Sequence, residues 1–157
     1  MTDREFLRHT LATLAYRCGK TVRGAPPEFA GSRAGPSTRT PLEILAHIGD
    51  LLDWALSIAK GEERWNNATP QPWDNEVARF FAALKAFDDC LASPEPLQRE
   101  ATALFQGPIA DALTHTGQLA MLRRLHGAPM KGENYSRAEI AVGRVGTEQA
   151  APKREFD

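Results

Sequence analysis

Two imidazoles and one carboxylate stand out in this chain for their spacing. Asp111 and His115 lie four residues apart, and His47 sits inside a separate stretch of helical periodicity. Side chains four apart on a helix share a face and can hold one ion between them. With His47 facing them from a second helix, the set is two His and one Asp with open positions for water or substrate. That composition suits zinc, nickel, manganese or ferrous iron, and it is closer to a catalytic site than to a closed structural one. Gln118, one turn beyond His115, is placed to orient a ligand from behind. The same residues admit a plainer reading, with His47 and His115 as hydrogen-bonded core histidines and Asp111 as a first-turn acid favoured by the helix N-terminus. A further allocation takes Glu43 and Asp50, which flank His47 at helical spacing, as ligands in place of Asp111, against their reading as solvated surface acids.

The elements that must position these groups are helices. From Gly107 to His126, with Pro108 at the first helical position and Gly127 and Pro129 as a stop, one face carries Asp111, His115, Gln118, Leu122 and Leu125. A face that begins polar and ends apolar, turned inward, demands partners for its polar groups. Upstream, Thr2 and Glu5 form a capping box before Leu7, Leu11, Leu14, Cys18 and Val22. Thr40, Pro41 and Glu43 open a second helix to about Ala59, with Ile44, Leu45, Ile48, Leu51, Leu52, Ala55 and Ile58 inside, and Glu43, Asp50, Asp53, Ser57 and Lys60 on its wet face. A third helix opens at Asp74 and repeats Val77, Phe80, Phe81, Leu84, Phe87 and Leu91. Leu97, Ala101, Leu104 and Phe105 form a short helical segment feeding the polar-striped helix.

Gly24, Pro26, Pro27, Gly31, Gly35 and Pro36 make the connection 23–39 long, and such a loop is either mobile or functional. No strand alternation is convincing, although Ala138 to Val145 reads as a candidate extended segment. The economical solution is an all-α, antiparallel four-helix bundle whose first connection crosses over. It is expected to be a single domain over 1–157, the bundle occupying 1–130 and an irregular tail 131–157. Val77, Phe80, Phe81, Leu84, Phe87, Leu45, Ile48, Leu52, Leu113 and Leu122 are its expected core. The second helix is apolar over so much of its circumference that a homodimer through helix faces is expected.

A formal net charge of -1 over 157 residues gives no electrostatic case for nucleic acid or acidic membranes. No apolar run reaches the length of a membrane span and no signal-peptide core is evident, so a cytoplasmic location is expected. Cys18 and Cys90 lack any paired spacing and read as buried, reduced thiols. His9 and His126 read as surface histidines, Arg123 and Arg124 as a solvated helix end, and Trp54, Trp65 and Trp73 as packing groups. No Gly-rich phosphate loop or recognisable nucleophile turn is present.

Leu45-Ala46-His47-Ile48-Gly49-Asp50 in the second helix, followed by Asp111-Ala112-Leu113-Thr114-His115-Thr116-Gly117-Gln118-Leu119 and Leu125-His126-Gly127 in a late one, resembles the DinB-like superfamily. Arg39-Thr40-Pro41-Leu42-Glu43 and the tail Val142-Gly143-Arg144-Val145-Gly146 are similar to one of its bacterial branches. The resemblance implies a four-helix bundle with a metal held by three histidines, one from the second helix and two at i, i+4 on the late one. His47 matches the first of these and His115 the third, while Asp111 stands where the second histidine would be. It further implies a divalent metal, a small-molecule substrate and a transferase or isomerase chemistry that uses a low-molecular-weight thiol. Metal-assisted hydrolysis is a second enzymatic expectation, and a stress-associated ligand-binding or interaction protein with a vestigial polar site is the non-enzymatic one.

Overall fold

The structure is a computed structural model and describes residues 1–156. Four helices of sixteen residues or more form its body: α1 (Asp3–Val22), α2 (Pro41–Ala59), α3 (Trp73–Ala92) and α5 (Ala110–Leu125), with a single turn, α4 (Ala101–Leu104), before the last. Both expected capping boxes form. Thr2 and Glu5 close α1, and at α2 the Glu43 carboxylate accepts from Thr40 N at 2.7 Å while Thr40 Oγ1 accepts from Glu43 N at 3.2 Å.

α1 packs against α3 and α5, and α2 packs against the same two helices. The first two helices are therefore not principal neighbours, and the connection between them passes across the structure. That connection is anchored. A short 3-10 turn, Pro27–Phe29, buries Phe29 completely against the edges of Trp73 and His126. His126 is thus a packing residue, half-buried rather than at the surface.

The core contains Leu45, Ile48, Leu52, Phe80, Leu84 and Phe87, all fully buried as expected. Val77, Phe81, Leu113 and Leu122 lie at its margin, half-buried, and Cys90 is half-buried where Cys18 is fully enclosed. Within α2, Ile44, Leu45, Ile48, Leu51, Leu52, Ala55 and Ile58 are all buried by the chain itself. The surface argument for a partner at that helix therefore falls away.

Two charged residues read as solvated, Asp50 and Arg123, are in fact buried. Asp50 is buried, its carboxylate accepting from Arg79 Nη1 at 3.0 Å and from Ala68 N at 3.2 Å. His9 is half-buried on α1. Arg123, 5% exposed, donates to Thr21 O at 2.8 Å, Arg23 O at 3.1 Å and Ala128 O at 2.6 Å. The last carbonyls of a helix have no intrahelical donor, and Arg123 supplies one to the end of α1 from the end of α5. Gly49 leaves room for the Arg79 guanidinium in this arrangement, since a Cβ there would lie 2.7 Å from the guanidinium carbon and displace it.

The late helix begins earlier than Pro108. α4 runs directly into a π-helical turn, Phe105–Ile109, with Pro108 inside it, and then into α5. Proline lacks the N–H for an α-helical bond and its ring crowds the carbonyl four residues back, so a widened turn is the local solution. The buried face that follows is Ala112, Thr116, Leu119 and Arg123. The stripe through Asp111 and His115 is rotated from it by about one residue, or about 100°, which leaves Leu125 66% exposed rather than in the core.

The tail is laid over the helices. β1 (Gly132–Glu133) pairs antiparallel with β2 (Glu155–Phe156), and Val145 is buried between them in sequence. Ala138 to Val145 forms no strand. Glu133, buried, accepts from Tyr16 Oη and Lys20 Nζ of α1, each at 2.8 Å, and Lys20 also donates to Glu155 at 2.8 Å. Among the described residues no helix is long and apolar enough to cross a membrane.

Candidate metal centre

The caps of α2 place His47 one helical turn beyond Glu43, on the side of the helix that meets α5. The π turn delivers Asp111 and His115 on the flank of α5 rather than on its buried face, so they sit at the edge of the core where solvent has access. The three side chains meet there. One ligand atom from each of His47, Asp111 and His115 lies within 4.8 Å of the others, and together they could hold a metal ion.

His47 Nε2 is 3.6 Å from Asp111 Oδ2, and His115 Nε2 is 3.4 Å from Asp111 Oδ1. Both separations exceed a normal hydrogen bond. They are close to the spacing of about 3.0–3.4 Å expected for adjacent ligands on an ion bound at about 2.1 Å. The imidazoles meet edge to face with centroids 4.7 Å apart.

Behind His115, Gln118 Oε1 lies 2.8 Å from Nδ1. With that amide oxygen as acceptor, Nδ1 carries the proton and Nε2 presents its lone pair toward the carboxylate. In that tautomer two acceptors face each other at 3.4 Å, an arrangement that a bound cation would satisfy. His47 has no hydrogen-bond partner among the described residues; its ring lies against Trp65, which in turn meets Trp54 edge-on. Burial first, then the neighbouring His115 and Arg39, hold the His47 imidazole below its ordinary pKa, which favours the neutral form that ligates. The His47 and His115 side chains are 19% and 12% exposed and Asp111 45%, so the carboxylate forms the solvent side of the centre.

The donor set is one that can hold a metal ion: two imidazoles, one carboxylate that offsets part of the charge, and an open side. Glu43 and Asp50 do not join it. Glu43 is held by the α2 cap and by Arg33 at 3.4 Å, and Asp50 by Arg79 and Ala68. What the sequence reading did not include is the wall around His47. The 60–72 connection folds back so that Asn67 and Ala68 face α2, drawn by the Asp50 to Ala68 bond and by Glu76, which accepts from Gln71 N at 2.8 Å. The Trp65-Asn66-Asn67 run was the available signal, since polar amides beside an aromatic group in a connection are suited to binding. No family model, curated protein or solved structure matches the chain.

Proposed function

We propose that the chain is a DinB-like four-helix bundle and a metal-dependent enzyme. On this reading His47, Asp111 and His115 hold a zinc, nickel or manganese ion that serves a transfer reaction using a low-molecular-weight thiol. The observation that carries the metal reading is the convergence of His47, Asp111 and His115, with His115 Nδ1 2.8 Å from Gln118 Oε1 and its Nε2 3.4 Å from Asp111 Oδ1. The pairwise packing of α1 and α2 on α3 and α5 supports the bundle. The thiol rests on the family resemblance of the His47 and His115 segments.

A divalent ion bound there supplies Lewis acidity, which favours the thiolate of a sulfur ligand near neutral pH. The chain's own residues do the rest. Gln118 keeps His115 in the ligating tautomer, Asp111 lowers the net charge of the loaded centre, and Trp65 covers one side of His47. The side at Asp111 leaves the centre open to solvent.

The test is metal content after reconstitution with zinc, nickel and manganese. One ion per chain is expected, lost in His115→Ala with helicity kept, and retained or tightened in Asp111→His, which supplies a third imidazole. Conversion of an electrophile by the loaded protein should require an added thiol. A chain that takes up none of the three ions overturns the metal reading, and loaded protein that turns over no electrophile with thiol overturns the transferase reading.

A further inference from the structure

A polar cavity of about 260 Å³ adjoins the centre, with His47 as the wall common to both. Arg39, Glu43, Asp50 and Asn67 supply its other polar groups. The two carboxylates are already engaged, as described above. Arg39 is not. It is exposed and makes no hydrogen bond or ion pair to any described residue, whereas the neighbouring arginines are committed: Arg33 to Thr38 O and Glu43, and Arg79 to Asp50, Glu76 and Ala46 O. A guanidinium at the rim of a cavity, with its planar set of donors unused, is suited to a carboxylate.

Resting on the reading of the centre given above, we propose that this cavity is its substrate subsite and takes a small monocarboxylate. Arg39 receives the carboxylate, and the remainder of the ligand lies along His47 toward the metal ligands. Charge decides between anions. Arg39 is the only uncommitted cation lining the cavity among the described residues, and Glu43 and Asp50 lie on the same walls, so a single negative charge is matched and a phosphate dianion is not. The volume is below the range of about 300–1,000 Å³ typical of drug-sized ligands, which limits the occupant to a short chain. Asn67 adds a neutral amide to the lining. The long connection before α2 thereby acquires a role, since Phe29 anchors its middle and Arg39 is the residue it delivers immediately before the Thr40 cap.

The test uses the full chain, metal-free and zinc-loaded, titrated with butyrate, butyramide and inorganic phosphate while the amide resonances of Asn67 and Ala68 are followed by NMR. Butyrate should shift both resonances and bind at least about tenfold more tightly than butyramide or phosphate, the scale of a charge-assisted pair. Arg39→Gln should weaken butyrate by about tenfold or more in both forms without changing zinc content, and Arg39→Lys should recover part of the loss. Equal butyrate affinity in Arg39→Gln and the parent chain, or phosphate binding more tightly than butyrate, overturns the inference while zinc uptake leaves the metal reading intact. Arg39-dependent butyrate binding in a chain that takes up no metal does the reverse.

Discussion

Gln118→Ala separates the orientation of His115 from its ability to ligate. Gln118 is exposed on α5, so its truncation opens no cavity, and alanine is the better helix former. Stability should change by no more than about 0.5 kcal/mol. What disappears is the 2.8 Å contact to His115 Nδ1. Without it the ring is free to place its proton on Nε2, the nitrogen that faces Asp111, and that tautomer cannot ligate. Loss of such an outer partner costs about 10–100-fold in metal affinity, or about 1.4–2.8 kcal/mol. Competition for zinc against a chromophoric chelator, with thermal melting followed in parallel, measures both quantities. The expected result is an affinity lower by at least tenfold with an unchanged melting temperature. Gln118→Glu should restore or exceed the parent affinity, because a carboxylate accepts the same hydrogen bond and raises the basicity of the ring. Zinc affinity that is identical in parent, Ala and Glu chains would refute the reasoning and show that packing alone orients His115.

Three further outcomes follow from the packing. Arg79→Met leaves the buried carboxylates of Asp50 and Glu76 without their cation, and urea unfolding at neutral pH should show a loss of about 3–5 kcal/mol; a loss below about 1 kcal/mol would place the network in the class of surface pairs. The Lys20 hydrogen bond holds the Glu155 carboxyl below the ordinary glutamate value, so its contribution is fully present above the unfolded pKa of about 4.3 and is lost as pH falls through the lower folded value. Amide exchange at Asn134, which donates to Arg154 O beside the β1 and β2 pair, should accelerate across that acid window in the parent chain and be fast at all pH values in Lys20→Met. Burial pushes the Cys18 thiol up to about 11, so a disulfide reagent at pH 8 should titrate half-buried Cys90 in the native chain and reach Cys18 only on unfolding; rapid labelling of both thiols would contradict the enclosed core.

Much of this protein is legible in short-range sequence because the interactions concerned are themselves short-range. Thr2 with Glu5 and Thr40 with Glu43 satisfy helix-end amides across three residues, so composition at fixed offsets is enough to find them. The same holds for Asp111, His115 and Gln118, whose spacing on one helix is also their spacing in space. The apolar periodicity of α2 and α3 likewise identified the residues that bury, from Leu45 and Ile48 to Phe80 and Phe87.

Tertiary structure decided the rest, for identifiable reasons. Asp50 and Arg123 read as surface charges because a charged residue ordinarily stays wet, and their burial relies on partners as far as 29 and 102 residues away. Pro108 reads as a helix start, and only packing that continues α4 into α5 selects the π turn instead. That turn helps set the angle at which α5 presents Asp111 and His115, and so their place on a half-exposed flank and not in the core. Their convergence with His47 depends on the packing of α2 against α5, and Arg39 comes to share a cavity with Asn67 only once the 60–72 connection has folded back along α2. Which residue types could do chemistry is a property of the chain, whereas which of them meet, and which are left without a partner, is settled by long-range packing.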